Sequence, residues 1–211
     1  WPKLKRLFDI VAAALGLLVA APVLLAAAIA IKWASPGPVF YVAKRAGRDG
    51  TPFGMFKLRT MHVRAVHGAV ITAPGDPRIF PLGKILRRTK LDELPQLLNV
   101  LRGDMSIVGP RPEDPAIVRD HYTDWMRETL RVRPGLTSPG AIYGYLYEDQ
   151  LIDPADPERS YVSRLLPAKL AVEYDYLGEA TLLKDVAVLG GTIRLVAGRA
   201  IGWRPKFGRR K

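Results

Sequence analysis

Cysteine is absent from the 211 residues. That removes disulfides, thiolate catalysis and Cys-ligated zinc. Histidine is scarce: only His62, His67 and His121 occur. They show no H-E-x-x-H spacing, and there is no G-x-S-x-G, so zinc-hydrolase and serine-hydrolase chemistry lack support. Acids are outnumbered, 20 Asp and Glu against 32 Lys and Arg, for a formal charge of +12. Such a chain seeks anions: nucleic acid, lipid head groups or phosphorylated small molecules. No internal repeat is visible, and the length suits one domain plus an extra element.

What is present begins with hydrocarbon. Ile10 to Ile31 is 22 residues without a charge, the length of a membrane-spanning helix. Pro22 lies in its middle, where it frees a carbonyl and bends a helix. Both flanks are basic, Lys3, Lys5 and Arg6 before, then Lys32, Lys44, Arg45 and Arg48 after. The positive-inside rule wants both ends in the cytoplasm. A helix that enters, breaks at Pro22 and returns satisfies this, provided the freed backbone finds partners. A single-pass anchor is the competing reading. Asp9, near the entry, is expected at head-group depth or paired with a basic neighbour.

The breakers Ser35-Pro36-Gly37-Pro38 end the apolar run. Val39–Val42 and Phe53–Leu58 read as strands of a hairpin around Arg48-Asp49-Gly50-Thr51, since Asp-Gly favours a tight turn. Alternation puts Lys57 and Arg59 on one face, as a phosphate clamp or as charged protection of an edge. Residues 62–78 show no period and read as a mobile loop, a candidate lid. From Arg78 to Lys90 there are five cations and no acid. Ile79, Leu82, Ile85 and Leu86 make that stretch an amphipathic helix, facing either a membrane surface or the core.

Lys90-Leu91-Asp92-Glu93-Leu94-Pro95-Gln96 follows. Leu94, Leu97, Leu98 and Leu101 recur at helical spacing, and Pro95 must lie in the first turn. The helix is expected to start at Asp92, as N-cap or N1, where free N–H groups favour an ionised carboxylate and a nearby phosphate. In Val108-Gly109-Pro110-Arg111-Pro112-Glu113, the two prolines stiffen the stalk carrying Arg111. Its guanidinium can grip a phosphate or pair with Glu113 or Asp114. Further on, Tyr143–Glu148 is aromatic, Ser160–Leu177 looks helical with Pro167 at a start or kink, and Leu182, Val186, Leu189, Ile193 and Val196 share one apolar face. The last 13 residues, from Arg199, hold six cations and no acid, a composition suited to anionic lipid or to a solvated tail.

Several of these stretches, in this order, resemble the bacterial sugar transferases, the monotopic phosphoglycosyl transferases. They are Phe8-Asp9, Pro38-Val39-Phe40-Tyr41, Lys57-Leu58-Arg59-Thr60-Met61, Leu91–Leu97, Asn99-Val100, Gly103-Asp104-Met105-Ser106, Val108–Pro112 and Arg133-Pro134-Gly135-Leu136-Thr137. The resemblance implies transfer of a sugar-1-phosphate from a UDP-sugar to polyprenyl (undecaprenyl) phosphate with release of UMP, as a first membrane step of surface-glycan assembly. It implies Mg²⁺, an Asp-Glu dyad at Asp92 and Glu93 with Asp92 as nucleophile and metal contact, and phosphate-contacting arginines at Arg87 and Arg111. Glu93 is left with three roles: metal holding, orientation of Asp92, or base. The place implied is the cytoplasmic face of a bacterial inner membrane, against an anionic bilayer, with a homodimer left open. Two departures stand out. Ala21 replaces the Ser that often precedes the membrane proline, and Ser138-Pro139-Gly140-Ala141 replaces a Gly-x-x-Gln-Val pattern.

The expected fold is α+β and mostly helical. A re-entrant helix–break–helix (1–34) precedes a compact catalytic domain (35–198) built from a small β-hairpin and amphipathic interfacial helices, and a basic tail (199–211) ends the chain. Two rivals remain: a membrane-anchored nucleic-acid-binding protein, disfavoured because the cations cluster beside the dyad rather than between stacking aromatics, and a silent scaffold, disfavoured by the intact dyad.

Overall fold

The computed structural model describes residues 2–63 and 76–200. Of the candidate lid (62–78), residues 64–75 lie outside the described residues, as do residues 201–211 of the basic tail (199–211). The chain opens with α1 (Pro2–Ala34), a helix of 33 residues. Pro22 lies inside it without interrupting it, a difference from the expected break. A proline removes one N–H and crowds one carbonyl, which a long helix can absorb as a bend.

One face of α1 is small and packed: Ala13, Ala20, Ala27 and Ile31 are buried. The opposite face is large and apolar, with Leu15, Leu18, Val19, Leu25 and Trp33 exposed. Both ends are tied to the same body. Near the start, Arg6 donates to Val100 O at 2.6 Å and Leu101 O at 3.0 Å. Asp9 is buried, and its Oδ1 accepts from Ser106 Oγ and Ile107 N, both at 2.9 Å. Its partners are thus a hydroxyl and a backbone amide rather than the expected cation or head-group water. At the far end, Ile31 and Ala27 pack with Leu58, Phe80 and Leu86.

The hairpin forms as expected. Strand β1 (Phe40–Ala46) pairs antiparallel with β2 (Pro52–Leu58), Phe40 opposite Leu58 and Ala46 opposite Pro52. Asp49 and Gly50 have φ of 54° and 76°, the left-handed pair that an Asp-Gly turn supplies. The amphipathic stretch becomes α2 (Pro81–Arg88), with Leu86 buried and Ile85 half exposed. Gly83 is required there: a Cβ would sit 2.2 Å from Thr60 O, so α2 lies directly on the strand end.

A 3₁₀ turn (Leu91–Glu93) then leads into α3 (Gln96–Arg102). Asp92 therefore sits in a turn before the helix, and Pro95 takes the N-cap position expected of Asp92. Asn99, buried on α3, accepts from Phe56 N at 2.9 Å and donates to Gly54 O at 2.8 Å, clamping β2 to the helix. The pattern gave no sign of a second sheet, yet β3 (Ser106–Val108) pairs in parallel with β4 (Gly135–Thr137). Three residues per strand are too few for a readable alternation. The approach is close: a Cβ on Gly135 would meet Gly109 N and O at 2.2 Å.

Helices complete the domain: α4 (Pro115–His121), α5 (Asp124–Arg127), α6 (Pro139–Leu151), α7 (Pro157–Ser160), a π-turn (Tyr161–Leu165), α8 (Leu166–Gly178) and α9 (Leu182–Ala200). Pro167 opens α8, as its missing N–H requires. The core joins Ala13 of α1, Met55 of β2, Leu97 and Val100 of α3, Ile107 and Val108 of β3 and Tyr176 of α8. The turn bearing Asp92 is thereby held between hairpin, α2 and α3.

Candidate active site

The stretch Lys57-Leu58-Arg59-Thr60 shows how local sequence is sorted into roles. Lys57 Nζ reaches Glu93 Oε1 at 3.3 Å. Leu58 goes to the core beneath α1. Thr60 Oγ1 accepts from Arg87 Nε at 2.9 Å. Arg59 does not join the site. It is buried and donates to Ser35 Oγ at 2.8 Å, Ser35 O at 2.6 Å and Pro38 O at 2.5 Å. The two-residue period held, but the chain leaves β2 at Leu58, and the free carbonyls after α1 attract the guanidinium. Of the expected clamp, only Lys57 remains beside the dyad.

Glu93 is the electrostatic hub. Its Oε1 accepts from Arg111 Nη2 and Lys57 Nζ, and Lys90 Nζ lies 3.6 Å away. Burial pushes the Glu93 carboxyl up, but Arg111, Lys90 and Lys57 outweigh it and hold it well below the usual range. Glu93 is thus a permanent anion that gathers cations, a poor proton acceptor. Arg111 is also held by Leu136 O at 3.3 Å, so its stiff stalk aims at Glu93 and not at Glu113 or Asp114. Glu113 is engaged elsewhere, with Lys169 at 3.0 Å and with the Tyr161 hydroxyl.

Asp92 is held differently. It is buried, and its Oδ1 has no hydrogen-bond partner among the described residues. Burial first, then the adjacent Glu93 charge, raise its carboxyl to about 6, against the pull of Lys57, Lys90 and Arg87. It remains mostly ionised at neutral pH, with one oxygen uncommitted. Lys57 is pushed down, chiefly by burial, so its charge gains from any anion placed beside it.

Lys90, Glu93 and Arg111 stand on the wall of a cavity of about 710 Å³, which also touches α1, α3, α6, α8 and α9. Sequence reasoning missed Lys90, which takes a left-handed backbone at φ 57° and opens the dyad turn. It missed the support behind Arg111 as well. Glu173 is fully buried, accepts from the Ser138 hydroxyl and takes the Arg111 backbone N–H at 3.4 Å. Glu173 lies 62 residues from Arg111, so no local pattern could signal it.

The family model described as "Bacterial sugar transferase" matches residues 2–199. The chain belongs to the bacterial sugar transferase family. Among similar proteins of this family is a UDP-glucose:undecaprenyl-phosphate glucose-1-phosphate transferase from Caulobacter vibrioides, 41% identical over 193 residues, covering 90% of this chain and 68% of the relative. A UDP-N-acetylgalactosamine-undecaprenyl-phosphate N-acetylgalactosaminephosphotransferase from Aeromonas hydrophila is 34% identical, over 92% of this chain but 43% of its own length. The exopolysaccharide production protein PSS of Rhizobium leguminosarum bv. phaseoli is 37% identical over 90% of this chain and 93% of its own. The transferase family thus extends through α9, beyond the motifs that end at Thr137.

Among the described residues, no group of three or more His, Asp or Glu could hold a metal ion. That donor set still fits magnesium, which commonly takes one or two carboxylates plus substrate phosphates. Of the dyad, Asp92 is the carboxylate left to hold it, since Glu93 is already surrounded by cations.

Proposed function

We propose that the chain transfers a sugar-1-phosphate from a UDP-sugar to polyprenyl phosphate, releasing UMP, through a phosphosugar bound covalently to Asp92. The observation that carries this is the contrast within the dyad. Glu93 is saturated by Arg111, Lys57 and Lys90, while Asp92 keeps an ionisable oxygen with no partner. Both relatives quoted with a named activity act on a UDP-sugar and undecaprenyl phosphate. They differ in the sugar, so the sugar is not carried over.

In the first displacement the Asp92 carboxylate bonds to the sugar-bearing phosphorus as the bond from that phosphorus to the UMP oxygen breaks. Lys57, Lys90 and Arg111 outnumber the two carboxylates of the dyad and help to neutralise the diphosphate. Arg87, positioned by Thr60, adds positive potential at Asp92. In the second displacement a phosphate oxygen of the acceptor attacks the same phosphorus and the Asp92 carboxylate is regenerated. Magnesium, held by Asp92 and the substrate phosphates, would supply further charge neutralisation.

The membrane reading rests on α1. Its length and apolarity suffice to cross a bilayer. Yet both ends bond to one domain, which supports a re-entrant or in-plane element at the cytoplasmic face of an inner membrane over a crossing with ends on opposite sides. The exposed Leu18, Val19, Leu25 and Trp33 would face lipid. The basic, amphipathic α2 would rest at an anionic head-group layer.

The test is a panel of UDP-sugars supplied with polyprenyl phosphate and magnesium. UMP release is expected with at least one sugar, together with a phosphosugar mass on wild-type protein that Asp92→Asn lacks. A panel giving neither product nor adduct would remove the proposal.

A further inference from the structure

The cavity beside the dyad has two unlike ends. Lys90, Glu93 and Arg111 mark one. The other is walled by hydrocarbon: Ala12 and Gly16 of α1, Leu97 of α3, Ile142 of α6, and Leu189 and Val196 of α9. On α9, Ile193 is part of the wall yet 61% exposed. From there Val186 and Leu183, 49% and 80% exposed, continue an apolar strip along the same helix. Polar groups, among them Tyr145, Glu148 and Lys169, are interspersed in the wall, but most of it is apolar, which suits a hydrocarbon chain.

We propose that this cavity takes the first isoprene units of the lipid acceptor, the chain entering across α9 and lying between α9 and α1 while its phosphate stops at Lys90 and Arg111. The acceptor's first units would then lie inside the protein, not along the outward face of α1 in the bilayer. This rests on the transfer reaction proposed above. Charge complementarity selects the occupant's head. Lys90 and Arg111 with Glu93 form a net cationic stop on the cavity wall, and Glu93 is the residue next to Asp92. The apolar walls select its tail, and the exposed strip on α9 gives a route from lipid to the dyad. With the phosphate so placed, one of its oxygens can bond to the phosphorus carried on Asp92 while the Asp92–phosphorus bond breaks. The lipid-linked product then leaves by the same route.

The test uses the full chain in lipid nanodiscs and a long-chain prenyl phosphate carrying a diazirine on its second isoprene unit. Photolabel is expected on the α9 segment 189–197 and at Ile142, and unlabelled prenyl phosphate should suppress it. Label confined to Leu15, Leu18 and Val19 on the outward face of α1 would overturn the proposal. Equal suppression by an ordinary phospholipid would also do so, since the cavity would then hold any lipid. In turnover, Val196→Trp should raise the KM for long-chain acceptor about tenfold by filling the chamber. An acceptor KM unchanged at every chain length, in a variant with wild-type circular dichroism, counts against it. Failure of the proposed reaction is read separately, as absence of the phosphosugar adduct when UDP-sugars are given without acceptor. Photolabelling does not depend on that step.

Discussion

Asp92 carries a charge that its surroundings oppose. Its carboxyl titrates at about 6 in the fold, against about 3.9 in an unfolded chain. Between those values the folded state binds more protons than the unfolded one, so stability falls as pH rises through that window. The cost is fully present above about pH 6. Asp92→Asn is therefore expected to stabilise the protein by about 1–3 kcal/mol at pH 7 and by less near pH 4.5, read from urea melts at both pH values. The same substitution should abolish adduct formation and lower UMP release by about a thousandfold or more. Adduct formation in the wild type should rise about tenfold per unit below pH 6 and level off above it, because attack needs the ionised carboxylate. Glu93 behaves in the opposite sense. Its depressed carboxyl stabilises the fold above its unfolded value and loses that contribution only in strong acid. Arg59 is separated from all of this. Arg59→Ala should cost about 3 kcal/mol or more through the lost charged hydrogen bonds to Ser35 and Pro38. The adduct formed per folded molecule should stay near wild type, as measured by thermal melting alongside a mass-resolved adduct assay.

At the scale of elements, the site depends on α2 lying against the end of β2. The contact of Gly83 with Thr60 O leaves no room for a side chain, and Thr60 orients Arg87. Gly83→Ala should push α2 away and displace Arg87. It is expected to destabilise by about 1–3 kcal/mol and to slow adduct formation more than it weakens donor binding. A variant with full activity and unchanged stability would show that α2 can shift freely. The hairpin and α2 were legible because alternation, the Asp-Gly turn and the apolar spacing are local signals. The parallel β3–β4 pair was not legible, because its strands are too short to show a period and its partners are distant in sequence. The start of α3 was misplaced for a related reason. Asp92 has the residue type of a cap, but its backbone belongs to a 3₁₀ turn set by Lys90 and by packing against the hairpin.

For the whole molecule, the decisive arrangement is that α1, about 50 Å of helix if straight, returns both ends to one body. Lys5 meets Asp185 of α9 at 2.5 Å near one end, and Arg59 holds Ser35 just past the other. Since the chain has no native cysteine, Lys3→Cys and Lys32→Cys can be labelled cleanly in inverted and right-side-out vesicles. Both are expected to react from the same side. Reaction from opposite sides would remove the re-entrant or in-plane reading and leave a spanning anchor.

Local chemistry alone determined the apolar opening, the hairpin and the basic amphipathic helix, because each is written in residues a few positions apart, whereas the roles of Asp92, Glu93, Arg87 and Arg111 were legible only through the family resemblance. Tertiary structure alone decided which carboxylate is neutralised and which stays free. Lys90 is three residues from Glu93, but Lys57 and Arg111 reach the same Glu93 oxygen from 36 and 18 residues away, and neither spacing nor composition encodes their convergence. It likewise decided that Arg59 serves α1 and not the site, since a charge buried by folding goes to whichever unsatisfied acceptors the fold places beside it.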